Sequence, residues 1–198
     1  MKNKNLAKLT QSAILAALCF VTFTYLQIKI PVPGGDATSI HFGNVFLVLA
    51  ALLIGGVYGG LAGAIGMTIA DIMDPVYILV APKTFVLKLC IGLIVGLFAH
   101  KIGRINHTND PQKVFRYALS GSIIGMAFNV FADPIVGYFY KIYVFGEPAD
   151  VTSDLAKFSA GATFFNAITT VVIAMLLYTA LRPILIKANL LVDYDLNT

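Results

Sequence analysis

Five ionisable side chains sit in otherwise apolar sequence: Asp71 and Asp74 in "TIADIMDP", Lys83 and Lys88 in "APKTFVLKLC", and Asp133 in "NVFADPI". A charge in an apolar layer costs several kcal/mol unless it is paired or wetted. Two uses suit these residues. Asp71 or Asp74 can pair internally with Lys83 or Lys88, or the groups can meet a polar solute directly. Uncharged hydrogen-bonding groups accompany them. His41 and Asn44 close the segment "IPVPGGDATSIHFGN", and either can bond a heterocycle or a carboxylate. The alternative here is that Asp36, Thr38 or Ser39 caps the following helix while His41 sits at an interface. Asn129 and Asn166 fall inside apolar runs, where amides bond ligands or join helices. Tyr77, Tyr138, Tyr140 and Tyr143 read as an interfacial aromatic belt, with Tyr77 the candidate to stack on a ring.

Several chemistries lack their motifs. There is no GxxxxGK[ST] loop for nucleotide phosphates, no HExxH zinc pair and no GxSxG nucleophile elbow. Cys19 and Cys90 both lie in apolar runs and read as packed thiols. The acids and histidines form no metal-ligand spacing, so no metal, cofactor or catalytic residue is expected in this chain.

The elements that must position these groups are membrane helices. The chain has 198 residues, 58% of them hydrophobic and only 12% charged, about half the charge of an ordinary soluble domain. Apolar runs between turn signals predict helices at 8–29, 43–57, 59–73, 84–100, 115–136 and 159–181. The N-terminal run has no small-x-small cleavage site after it and reads as a retained first helix. The expectation is an all-α membrane protein, one integral domain over 1–198 built as a compact bundle of six transmembrane helices.

The charges test the orientation. With the N-terminus inside, inner segments hold nine of the fourteen basic residues, Lys101, Arg104 and Arg182 among them, against three acids. The outer half holds five basic residues and seven acids, leaving the inner side at +6 and the outer side at −2. That is the positive-inside pattern, and it predicts both termini in the cytoplasm. The basic residues therefore orient the chain in a lipid bilayer and argue against a nucleic-acid partner. On this layout the buried polar groups converge toward the outer face, as a solute chamber open to that side requires.

Small residues recur every four positions at Ala13 and Ala17, at Gly55, Gly59 and Gly63, at Gly92 and Gly96, and at Gly121 and Gly125. Each series lets another backbone approach closely. Ala13, Ala16 and Ala17 begin beside the N-terminal lysines and form a smooth face for internal packing or for a separate membrane subunit.

The run "IPVPGG…IHFGNVFLVLAALLIGGVYGGLAGAIG…DIMDPVY…APKTFVLKLCIGLIVG", with "AILAAL" before it and an asparagine in the last helix, resembles the substrate-binding S components of energy-coupling factor (ECF) transporters. The resemblance spans essentially the whole chain. It implies six helices in a prokaryotic plasma membrane and a small water-soluble vitamin or related metabolite bound near the outer face. It also implies that residues 30–42 form a lid and that the Ala13 and Ala17 face docks on a transmembrane coupling subunit. Two partner ATPases would use the ATP. Trp is absent, which departs from the tryptophan-rich site of thiamine-binding members. The N-terminus "MKNKN" lacks the histidine motif of cobalt and nickel members. His41, Asn44, Asp71, Tyr77, Lys83, Lys88, Asn129, Asp133 and Asn166 are the candidate substrate contacts. The competing readings are a self-contained small secondary transporter or channel, and a membrane assembly protein without a solute.

Overall fold

The computed structural model describes residues 4–32 and 36–191. Pro33, Gly34 and Gly35 of the expected lid, and the charged residues Lys2, Asp193 and Asp195, lie outside the described residues.

Six helices run alternately up and down: α1 (Lys4–Tyr25), α2 (Gly43–Ile54), α3 (Gly56–Met73), α4 (Ala81–Gly96), α5 (Pro111–Tyr140) and α6 (Ala149–Lys187). All but α2 belong to segments long and apolar enough to cross a membrane. The shortest, α2, has 12 residues, of which all but Phe46 are buried. At 1.5 Å per residue it is about 18 Å long, and it packs against α1, α3, α4 and α6. A helix enclosed by protein needs no full bilayer span of its own.

The first helix stops at Tyr25, four residues before its expected end. Beyond it, β1 (Gln27–Val32) pairs antiparallel with β2 (Asp36–His41), in a register running from Gln27 opposite His41 to Val32 opposite Asp36. Pro31 cannot donate within a helix but is tolerated in a two-stranded hairpin. The segment read as a compact turn is therefore a hairpin. None of the expected caps forms, because α2 begins after Phe42 without a side-chain cap.

Glycine brings the helices together. Gly55 has φ +91°, a conformation that L side chains rarely adopt, and turns α2 back onto α3. A Cβ on Gly59 would lie 2.3 Å from the Ala51 nitrogen, and one on Gly63 would lie 2.4 Å from the Leu47 side chain. Between α3 and α4, a Cβ on Gly92 would lie 2.2 Å from the Gly60 Cα, and one on Gly96 the same distance from the Gly56 Cα. Two backbones thus touch with no side chain between them. Gly121 brings α5 to the Val95 carbonyl of α4, and Gly125 leaves room for the Val95 side chain.

The later helices run past their expected ends. A π-helical turn extends α4 over Leu97–Ile102, and another extends α5 over Lys141–Phe145. The sixth helix starts at Ala149, ten residues before its expected start. The Asp110 carboxylate caps α5 by accepting from the Gln112 N–H at 2.9 Å. Broad apolar surface, including Leu6, Phe131, Phe164 and Leu176, faces outward from the bundle.

Candidate solute-binding site

The hairpin, the α3–α4 connection and the α5–α6 connection share one end of the bundle. There, between α3, α4, α5, α6 and the hairpin, lies a cavity of about 230 Å³. Eight of the nine candidate contacts line it: His41, Asp71, Tyr77, Lys83, Lys88, Asn129, Asp133 and Asn166. Asn44 is the exception. It is fully buried at the start of α2, and neither amide atom has a hydrogen-bond partner. The expectation that Asn44 bonds a heterocycle or a carboxylate therefore finds no support in this cavity.

The ion pairs differ from those expected. Lys83 on α4 pairs with Asp133 on α5 at 3.0 Å, not with Asp71 or Asp74. Asp133 also accepts from Ser159 at 2.9 Å and Thr163 at 3.4 Å on α6, so one carboxylate ties three helices. Asp74 pairs with Lys29 on β1, whose ammonium also lies 5.3 Å from the Tyr77 ring centroid. This pins the hairpin to the α3–α4 connection. A further pair, Lys141 with Glu147 at 3.0 Å, closes the cavity wall beyond α5.

Asn166 holds the other strand. Its Oδ1 accepts from the His41 N–H at 3.0 Å, and its Nδ2 donates to the Ser39 carbonyl at 2.9 Å. The His41 ring packs edge-on against Phe23 at 4.5 Å between centroids. Burial, reinforced by the positive charge of Lys88 and opposed by Asp133, pushes the imidazole pKa down to about 3. The ring is therefore neutral at physiological pH, and its Nδ1 has no partner.

Sequence reasoning missed Ser159 and Thr163, as well as Thr152 and Leu155, all on the cavity wall. The signal was present, since residues 152, 155, 159, 163 and 166 follow helical spacing on one face. Starting the last helix at 159 hid its first part, residues 152 and 155. On α1, Ala13 and Ala17 are exposed, whereas Ala16 is partly buried. A Cβ on Gly66 of α3 would lie 2.3 Å from the Ala16 carbonyl. Ala16 therefore belongs to the α1–α3 contact, unlike its two neighbours on the proposed docking face.

A helical membrane bundle with one end hollowed into a polar cavity, and a hairpin laid over it, defines a solute-binding membrane protein. A family model for the S component of ECF-type riboflavin transporters matches residues 3–183, and the chain belongs to that family. Its members are non-catalytic substrate-binding subunits of ECF importers, embedded in the membrane and partnered by a coupling subunit and two ATPases. An uncharacterised protein from the gap 3′ region of Pyrococcus woesei is 30% identical over 167 residues, covering 84% of this chain and 95% of that one. The solved structure of ThiT from Listeria monocytogenes shares the fold, with a TM-score of 0.67 over 90% of this chain and 96% of that one, at 21% identity.

Proposed function

We propose that this chain captures a small water-soluble vitamin or related metabolite in the cavity beneath the hairpin, on the outer face of a prokaryotic plasma membrane. Import is then driven by partners: a transmembrane coupling subunit docked on the Ala13 and Ala17 face of α1, and two ATPases that consume the ATP. The observation that carries this reading is where the charged and polar candidate contacts converge, in the cavity beneath the hairpin. Its polar lining lies at the end of the bundle where acids outnumber bases, while the basic residues gather at the opposite end. Both termini then lie in the cytoplasm. The chain itself needs no cofactor.

Riboflavin, named in the family's description, is the first solute to try, although the cavity is smaller than the roughly 300–1,000 Å³ of sites for drug-sized ligands. The test is native mass spectrometry of the purified chain from cells grown in vitamin-rich medium. A bound molecule of defined mass supports the reading. Protein that stays bare against a vitamin panel overturns it in favour of an assembly role, and solute flux through the chain alone favours a self-contained transporter.

A further inference from the structure

The cavity is lined by three basic and three acidic side chains: Lys83, Lys88, Lys141, Asp71, Asp133 and Glu147. Two pairs cancel, Lys83 with Asp133 and Lys141 with Glu147, each at 3.0 Å. One charge of each sign remains. Lys88 is 7% exposed and, among the described residues, has neither an ion pair nor a hydrogen bond. Asp71 is 2% exposed, and its Oδ2 has no hydrogen-bond partner.

An unpaired buried charge is among the costliest features a fold can carry. These two do not pair with each other, yet both open onto the same cavity. The neutral groups around them are also incompletely bonded, since His41 Nδ1 and Asn129 Oδ1 have no partners.

We propose that the solute is small and carries two complementary groups: an acidic oxygen received by Lys88, and a hydroxyl or N–H donor received by Asp71. His41 and Asn129 complete the polar contacts, while Lys83 and Asp133 fix the walls without meeting the solute's charge. The inference rests on the solute-binding reading above and narrows it. At about 230 Å³ the cavity is small, which suits a one-ring or short-chain molecule. An uncharged solute would leave Lys88 buried without a direct partner, so the site selects against it.

The experiment is isothermal titration of the full chain in detergent with pantothenate, its neutral alcohol panthenol, pyridoxine and riboflavin. The solute released on denaturing the purified protein is identified in parallel. The expected result is that the released solute, or the tightest of the four probes, has an acidic oxygen and a donor. Lys88→Met should weaken it at least tenfold and Asp71→Asn severalfold, with ligand-free melting temperatures within a few degrees of the parent. Lys157→Met, at an exposed pair with Asp154, should change nothing. An uncharged released solute, tightest binding by riboflavin or panthenol, or undiminished affinity in a folded Lys88→Met variant overturns the inference and leaves solute binding standing. If Lys88→Met does not fold, the ranking of solutes on the parent protein decides. Absence of both a released solute and any probe binding overturns the solute-binding reading itself, and the inference with it.

Discussion

Asn166, deep in α6, bonds the backbone of the cavity's cover: its Oδ1 takes the His41 N–H at 3.0 Å while its Nδ2 reaches the Ser39 carbonyl at 2.9 Å. One side-chain amide thereby occupies the place of a third strand along β2. The hairpin is held to the last helix by this amide and to the α3–α4 connection by the Lys29–Asp74 pair. Asn166→Ala should release the cover. Two lost hydrogen bonds, one leaving a buried N–H unpaired, predict a loss of about 1–3 kcal/mol. Amide exchange at residues 37–41 should rise sharply and solute dissociation should accelerate. Unchanged exchange there would show that the strand is held by other contacts.

Asp133 should matter for folding more than for solute affinity. It joins Lys83, Ser159 and Thr163 across three helices. Asp133→Ala strands the partly buried Lys83 and removes the acceptor of Ser159 and Thr163, and should cost about 1–3 kcal/mol. Replacing both partners, Lys83→Met with Asp133→Leu, should recover much of that loss. Melting of the ligand-free protein checks both, and a double variant no better than the single one would argue against the pairing.

The glycine contacts predict a sharp positional contrast. Gly92→Ala places a methyl 2.2 Å from the Gly60 Cα and should separate α3 from α4, costing about 1–3 kcal/mol or more. At Gly161 in α6 nothing lies within 4 Å of an added Cβ. Gly161→Ala should therefore be neutral or stabilising by up to about 1 kcal/mol. Comparable melting temperatures for the two variants would contradict the close approach of α3 and α4.

His41 gives the stability a pH dependence of defined sign. Its folded pKa of about 3 lies below the ordinary 6.5, so below pH 6.5 the unfolded chain binds a proton that the folded chain refuses. Stability is fully present above pH 6.5 and falls as pH drops toward 3, at up to about 1.4 kcal/mol per pH unit for this one group. His41→Gln should flatten the decline in melting temperature between pH 7 and 5. An unaltered slope would mean that His41 is reached by water.

On α1 the two faces should separate by phenotype. Ala13→Leu and Ala17→Leu, at exposed positions, should weaken assembly with the proposed coupling subunit while sparing solute affinity and melting temperature. Ala16→Leu should lower the melting temperature, because Ala16 lies against α3. Loss of solute binding with Ala13→Leu would make that residue part of the bundle's own packing.

The sequence by itself determined the membrane bundle, its six helices and the group of polar residues worth attention. The reason is that an apolar solvent makes every buried charge conspicuous and every long apolar run a helix. Lys88 and Asp71 are legible in this way without coordinates. Glycine spacing likewise pointed to close helix contacts, although not to Gly92 meeting Gly60 in particular. Helix ends were less legible, since the apolar signal fades where helices emerge from the bundle. That concealed the hairpin after Tyr25 and the first ten residues of α6, and with them Thr152 and Leu155 on the cavity wall. Only the tertiary structure decided which charges pair. Lys83 reaches Asp133 across 50 positions, and Lys29 reaches Asp74 across 45. Hydrophobic pattern fixes which face of a helix turns inward, but not which charge on a neighbouring helix stands opposite. That depends on the rotation and depth at which the helices pack, and here those leave Lys88 and Asp71 unpaired and facing the cavity.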